Sequence, residues 1–244
     1  MARASHLDSS GLNTTIREKA GGIRRRLLNW FPSNHRIFRW REDTSAYVVL
    51  ISEILLKKTT AQAVDRFLPS FLERYPDVKS LSGARIADLR HTLQPLGLSQ
   101  QRATQLHALA RAVSSCPGGR IPCSRDELLL LPGVGPYTAN SILCVAFGTA
   151  APIVDTNVAR ILTRVFGVNS STYEPRRCPV LWAIAAAVAG KRSDSARRAN
   201  WALLDLGAMV CISRTPRCAI CPLRPICSFA TTNAEADGAG SRRK

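Results

Sequence analysis

Four cysteines toward the C-terminal end of the chain have the side chains and the spacing of a metal centre. Cys211, Cys218, Cys221 and Cys227 lie within 17 residues, with six, two and five residues between them. Thiolates at this spacing can bind a zinc ion or an iron–sulfur cluster. The spacing therefore favours a metal site over a disulfide framework. It leaves the metal open, with a cysteine-rich segment that binds no metal as the alternative.

A second short segment has the features of a phosphate-binding turn. The sequence LPGVG, residues 131–135, precedes Pro136, which suits the first turn of a helix. Gly133 and Gly135 can adopt a positive φ and let the backbone approach a ligand, and N–H groups before a helix attract an anion. A plain helix–helix turn explains LPGVG alone equally well. The 34 basic residues of the chain and the cysteine motif together favour DNA as the anion, so we expect Gly133, Val134 and Gly135 to contact it.

The segment PIVDTNVARIL contains a carboxylate, Asp155, where a helix is expected to begin. An aspartate at this position caps the helix by accepting a hydrogen bond from the N–H of Asn157 or Val158. The helix dipole and the amide donors keep such a group ionised. A fixed anion can also stabilise an oxocarbenium ion and activate water, so a structural and a catalytic role are both possible.

Apolar residues with a helical period run through the chain from Ile23 to about residue 230, and no convincing strand is found. The sequence predicts an all-α fold of two lobes, with the active cleft between them. The predicted segments are a loose arm at 1–22, a helical barrel at 45–149 that contains the hairpin 131–135, a second lobe of 23–44 with 150–230 that carries the cysteines, and a disordered tail at 231–244.

The net charge is strongly positive, with 34 basic against 17 acidic residues and a pI near 10.5. Only six of the basic residues are lysines. This excess favours a polyanionic partner, above all nucleic acid. No apolar run reaches the ~18 residues of a membrane span, and no secretory signal is visible. We therefore expect a cytoplasmic protein, associated with the nucleoid if the source is a prokaryote.

Together, the cysteine spacing, the LPGVG turn and an aspartate 20 residues after Gly135 resemble the endonuclease III superfamily of DNA glycosylases. These are helix-hairpin-helix proteins with a C-terminal [4Fe-4S] cluster, and the resemblance covers about residues 24–230. It implies that the four cysteines hold this cluster rather than zinc. It also implies that Asp155 is the catalytic carboxylate and that a monomer acts on double-stranded DNA.

Tyr137 occupies the position at which the endonuclease III branch has the lysine that forms a Schiff base with the sugar. A phenol cannot form an imine, so the lyase step should be absent. The segments PYTANSILCVAFG and EILLKKTTAQAV resemble the mismatch-specific thymine glycosylases, which implies that Tyr137 lines the base pocket. The resemblance also puts Glu53 in this pocket. An ion pair with Lys57, four residues further along the helix, is the simpler alternative for that glutamate.

Lys57 and Lys58 stand where other branches have two glutamines, so we expect both to contact DNA. They are also the only lysines that could give residual lyase activity. Lys58 is a candidate to fill the gap left by an extruded base. Leu98, in GLSQQRA, matches the family's apolar wedge, although an ordinary core position is the alternative. Further candidates for phosphate contact are Arg102, Arg160 and Arg164.

The predicted activity is removal of thymine or uracil opposite guanine, which leaves an abasic site without strand cleavage. A first alternative is excision of adenine opposite 8-oxoguanine. Those enzymes usually have a further C-terminal domain, whereas only 17 residues follow Cys227 here. A second alternative is a glycosylase and lyase for oxidised pyrimidines, and a third is a non-catalytic DNA-binding module.

Overall fold

The computed structural model describes residues 14–168 and 174–232, which form α-helices joined by short connections. Those residues contain no β-strand, so the predicted all-α class is confirmed. None of their helices is long and apolar enough to cross a bilayer. The helices are α1 (Thr14–Trp30), α2 (Arg39–Glu42), α3 (Ala46–Leu55), α4 (Ala61–Arg74), α5 (Val78–Ser82), α6 (Ile86–Leu93), α7 (Ser99–Ser114), α8 (Arg125–Leu130), α9 (Pro136–Val145), α10 (Thr156–Phe166), α11 (Pro179–Ala189) and α12 (Ser193–Met209).

The chain divides into two compact units, one formed by residues up to 36 with those from 150 onward, and the other by residues 37–149. In the first unit, α1, α10, α11 and α12 pack around one apolar core. Asn200 of α12 is buried and fixes the segment that leads into α10. Its side chain accepts a hydrogen bond from the Ile153 N–H at 3.1 Å and donates one to the Ala151 carbonyl at 2.9 Å.

The expectation of a loose arm at 1–22 is wrong for residues 14–22, which belong to α1. Ala20, Ile23 and Leu27 lie on one face of this helix and are fully buried against the core. The Lys19 ammonium donates to the Val165 carbonyl at 2.7 Å and ties the same helix to α10. Burial of this apolar face outweighs the helix-weakening Gly21–Gly22 pair. Residues 1–13 of the predicted arm lie outside the described residues.

In the second unit, α3 and α9 form the centre, and α7 packs against α5 and α6. Nearly every residue of α3 from Val48 onward is buried, and so is every residue of α9 from Thr138 onward. Each of these helices is therefore surrounded by protein over most of its length. These two helices carry the candidate site residues Glu53 and Tyr137.

The first boundary between the units differs from the expected one, because residues 37–44 belong with the second unit. Within this segment α2 packs against α3 and α4, and the Arg39 N–H donates to Asp65 Oδ1 at 2.8 Å. The segment 37–44 has no extended pattern of apolar residues in its sequence. Which of the two units it belongs to therefore depends on these tertiary contacts. Of the predicted tail, 231–244, all but Thr231 and Thr232 lie outside the described residues.

Candidate functional site

The LPGVG sequence forms the turn between α8 and α9, with Pro136 as the first residue of α9. Gly133 has φ +78°, as expected, but Gly135 has φ −105°, so only the first glycine uses the left-handed region. Within the part of the chain that the structure describes, the N–H groups of these two glycines donate to no protein acceptor. These amides, next to a helix N-terminus, form an anion-binding arrangement.

Val134 differs from the two glycines that flank it. Its side chain is 7% exposed, and its N–H donates to the Leu131 carbonyl at 3.0 Å. The side chain and the amide of Val134 are thus engaged within the protein, and its expected contact with DNA stays a prediction. The residue anchors the turn to the core, and this anchoring presents the amides of the neighbouring glycines.

Lys57 supports the same turn from the end of α3. Its ammonium group donates to the Gly133 carbonyl at 2.5 Å. Desolvation at this contact lowers the pKa of Lys57, while the charge of Glu53 acts in the opposite direction. The Gly133 carbonyl is thus bound within the protein. Lys57 acts as a support of the hairpin.

Glu53 has a hydrogen-bond partner on α9 that the sequence prediction missed. The Ser141 hydroxyl donates to Glu53 Oε1 at 2.6 Å. Ser141 lies four residues after Tyr137 on α9, so both residues share one face of that helix. Both Glu53 and Tyr137 are half-buried. The spacing of Tyr137 and Ser141 is visible in the sequence, but the hydrogen bond from Ser141 to Glu53 of α3 is not.

Asp155 is the N-cap of α10, as the sequence predicted. Its Oδ1 accepts from the Val158 N–H at 2.7 Å, and its Oδ2 accepts from Asn157 Nδ2 at 2.8 Å. Asn157 is in turn held by Arg160, which donates to Asn157 Oδ1 at 2.9 Å. The carboxylate is half-buried and fixed through both oxygens. Since each oxygen can accept a second hydrogen bond, both retain capacity for a ligand or a water.

The three arginines considered for phosphate contact all donate hydrogen bonds within the protein. Arg160 also binds the Cys211 and Gly207 carbonyls, and Arg164 binds the Ile212 and Ser213 carbonyls. The guanidinium of Arg102 binds carbonyls of two turns of the second unit. These arginines position backbone segments. A helical pattern shows an arginine's place on its helix, but such distant partners become apparent only in the folded chain.

Lys58 and Leu98 share an uncommon backbone conformation. With φ of 56° and 50°, they are the two non-glycine residues with positive φ among the described residues. Both side chains are exposed, and Leu98 keeps 50% of its surface accessible. The alternative that placed Leu98 in the core is therefore wrong. An apolar and a cationic side chain each project from a tight turn of this unit.

The four cysteines Cys211, Cys218, Cys221 and Cys227 line one pocket in the first unit. Burial raises the pKa of Cys221 to about 11 and also raises the pKa of Cys218, with the neighbouring thiols adding to both shifts. Among the described residues, no group of three or more cysteine, histidine or acidic side chains has the arrangement that holds a metal ion. The four thiols thus share one pocket.

Comparisons with known proteins identify the family of this chain. Residues 51–178 match the model of the HhH-GPD superfamily base excision DNA repair proteins. Thymine-DNA glycosylase of Aeropyrum pernix is 40% identical over 85% of this chain and 93% of its own length. Thymine/uracil-DNA glycosylase of Pyrobaculum aerophilum is 34% identical over 83% and 89%.

Adenine DNA glycosylase of Mycolicibacterium smegmatis is also similar, with 35% identity over 81% of this chain and 66% of its own length. Among solved structures, a thermostable thymine-DNA glycosylase superposes with a TM-score of 0.84 at 33% identity, covering 90% of this chain and 100% of that one. The family predicted from the hairpin, the aspartate and the cysteine spacing is thereby confirmed. This chain belongs to the HhH-GPD superfamily of base excision DNA repair proteins.

Proposed function

We propose that this DNA glycosylase hydrolyses the N-glycosidic bond of thymine or uracil opposite guanine and leaves the DNA strand intact. The observation that carries the proposal is a tyrosine, Tyr137, in the first turn of the helix that follows the hairpin. The similarity to proteins named thymine-DNA and thymine/uracil-DNA glycosylase, over about nine-tenths of their length, supports the choice of pyrimidine. A mispaired base costs less to extrude than a paired one, which favours the mismatch.

Asp155 is the proposed catalytic carboxylate. Its bonds to the Val158 amide and the Asn157 side chain fix its orientation, and the free capacity of its oxygens is available to the sugar and to water. In the proposed reaction the electron pair of the bond between C1′ and the base leaves with the pyrimidine. The anion stabilises the oxocarbenium ion that forms. Water then bonds to C1′ and gives its proton to the carboxylate.

Tyr137 and the two lysines at the end of α3 explain the expected lack of lyase activity. A Schiff base needs a neutral amine, and a phenol supplies none. Lys57 is engaged with the Gly133 carbonyl, which occupies one of its N–H donors and fixes its position at the hairpin. We therefore assign Tyr137 to the wall of the base pocket, where its ring can stack on the extruded pyrimidine. Lys58 is assigned to the DNA rather than to the sugar carbon.

Glu53 is proposed to bind the edge of the pyrimidine or the attacking water. The Ser141 hydroxyl already donates to one carboxylate oxygen at 2.6 Å and holds the side chain in one orientation. The second oxygen is then positioned by the same contact. A carboxylate held in this way is better suited to recognise a base by hydrogen bonding than to serve only as an ion-pair partner of Lys57.

DNA is the partner of this family, and the charge of +17 fits a polyanion. The amides of Gly133 and Gly135 are proposed to bind a phosphate. Lys58 and Leu98 are proposed to enter the space left by the extruded base. We further propose that the protein acts as a monomer on mismatched double-stranded DNA and is found in the cytoplasm with the chromosomal DNA.

The four cysteines are proposed to bind a [4Fe-4S] cluster, which endonuclease III-like members of the superfamily often carry. Four thiols around one pocket are the donor set that such a cluster requires. A zinc ion held by the same four thiols is the alternative that the spacing allows. When bound, the cluster supplies a structural cross-link of the segment from Cys211 to Cys227.

A panel of duplexes tests the proposal. The protein is incubated with DNA containing G:T, G:U, adenine opposite 8-oxoguanine, or thymine glycol, and strand breaks are compared with and without hot alkali. We expect breaks at G:T and G:U only after alkali, because an abasic site is alkali-labile. Preference for the adenine duplex would support the alternative of an adenine glycosylase. The 35% identity to such an enzyme is the observation that favours this alternative. Breaks without alkali would indicate a lyase.

A further inference from the structure

Arg102, near the start of α7, is the one buried arginine among the described residues, with 3% of its surface exposed. Its guanidinium binds two turns at once. Nη1 donates to the carbonyls of Leu96 and Gly97, both at 2.6 Å. Nη2 donates to the Lys57 carbonyl at 2.8 Å and to the Thr59 hydroxyl. All four acceptors are uncharged oxygens.

The two turns held by Arg102 are the ones that contain the left-handed residues. Lys58 directly follows the Lys57 carbonyl, and Leu98 directly follows the Gly97 carbonyl. The guanidinium therefore fixes the peptide unit that leads into each left-handed residue. Non-glycine residues keep this backbone conformation only where the surrounding structure enforces it. The same side chain thus supports both conformations.

Packing alone does not explain an arginine at this position. A buried cation without an opposite charge is unfavourable, and an apolar side chain of similar length would fill the space at less cost. Burial lowers the pKa of Arg102. Among the side chains, only arginine has a planar cationic group whose two ends donate hydrogen bonds in fixed directions. That geometry sets the separation of two turns that are about forty residues apart in sequence.

We propose that Arg102 is a positioning residue that holds Lys58 and Leu98 at a fixed separation, so that both side chains enter the duplex together when a base is extruded. This inference rests on the proposed function, which assigns both side chains to the DNA. It predicts that the two turns act as one unit through the guanidinium. Loss of Arg102 should uncouple them even when the helices around them remain folded.

Base extrusion can be measured without excision, by the fluorescence of 2-aminopurine placed next to a G:T mismatch. We expect Arg102→Met to reduce the extrusion rate about ten- to a hundredfold, the scale of a misplacement of about 1 Å. Arg102→Lys keeps the charge but reaches only one turn, so it should show a similar loss with the fold intact. Arg111→Met is the matched control, because Arg111 is exposed on the same helix.

A double-mutant cycle separates positioning from general destabilisation. In the wild-type background, Leu98→Ala and Lys58→Ala should each slow extrusion. In the Arg102→Lys background they should add little, because their side chains are already misplaced. Losses by the same factor in both backgrounds would overturn the proposal, as would normal extrusion by Arg102→Lys. A wild-type protein that extrudes the base but excises neither thymine nor uracil would refute the proposed function alone. The absence of any extrusion would refute both.

Discussion

The two glycines of the hairpin should separate a role in folding from a role in DNA binding. Gly133 has φ +78°, and a methyl group there would lie 2.0 Å from Gln105 Nε2 and 3.0 Å from Gln105 Cδ. Gly135 has φ −105°, and a methyl group there meets nothing within 4 Å. Replacing each glycine by alanine therefore tests different properties of the same turn. We expect Gly133→Ala to lower stability and Gly135→Ala to lower affinity for DNA.

The cost of Gly133→Ala has two parts. The left-handed backbone costs about 1–2 kcal/mol for an alanine. The clash with Gln105 adds a smaller amount, because the end of a flexible side chain can rotate away. A total of about 1–3 kcal/mol corresponds to a fall in Tm of roughly 2–12 °C for a chain of this size. In the double variant Gly133→Ala/Gln105→Ala only the backbone part should remain. Gly135→Ala should stay within about 0.5 kcal/mol of the wild type.

Thermal unfolding and DNA affinity over a range of salt concentrations are the measurements. Gly135→Ala should unfold like the wild type yet bind duplex DNA more weakly, because its methyl group would occupy the place where a phosphate approaches the Gly133 and Gly135 amides. Two results would refute this reasoning. One is a Gly133→Ala protein with wild-type Tm. The other is a Gly135→Ala protein whose affinity and salt dependence match those of the wild type.

Three further substitutions test other parts of the molecule. Asp205 is fully buried and accepts hydrogen bonds from the backbone N–H and Nε of Arg36. Asp205→Ala should lower the free energy of unfolding, measured by chemical denaturation, by about 3–5 kcal/mol, whereas Asp194→Ala, at an exposed position, should leave it almost unchanged. Equal losses in the two variants would contradict a stabilising role of the buried Arg36–Asp205 pair. Tyr137→Lys should introduce an amine that borohydride traps covalently on the abasic product, while Tyr137→Phe should give no trapped complex. A trapped complex of the wild-type protein would show that it has lyase activity and would contradict the proposal. Cys221→Ser should lower the iron content and the visible absorbance of the purified protein, whereas substitution of the exposed Cys123 by serine should change neither. Equal iron content in the two variants would exclude Cys221 as a cluster ligand.

The features that the sequence predicted well are those coded by neighbouring residues. The hairpin follows from two glycines and a proline, and the cap of α10 follows from one aspartate before an apolar period. The family resemblance then linked these local signals. Each is complete within a few residues, so no knowledge of the rest of the fold was needed to find it.

The features that the sequence did not reveal depend on distant contacts. Ser141 and Glu53 are 88 positions apart, and Arg102 reaches a carbonyl 45 positions away. The burial of Val134 and the helical state of residues 14–22 likewise depend on packing against other elements. A pattern of polar and apolar residues shows which side of a helix is buried. It does not show which polar groups meet there.

The rate of base excision by Asp155→Asn tests the central claim most directly. Asparagine is as good an N-cap as aspartate, so the bond to the Val158 N–H, the fold and DNA binding should be retained. Without the negative charge, single-turnover excision of thymine and uracil opposite guanine should fall at least about a hundredfold. Excision at the wild-type rate by a folded, DNA-binding Asp155→Asn protein would contradict the account.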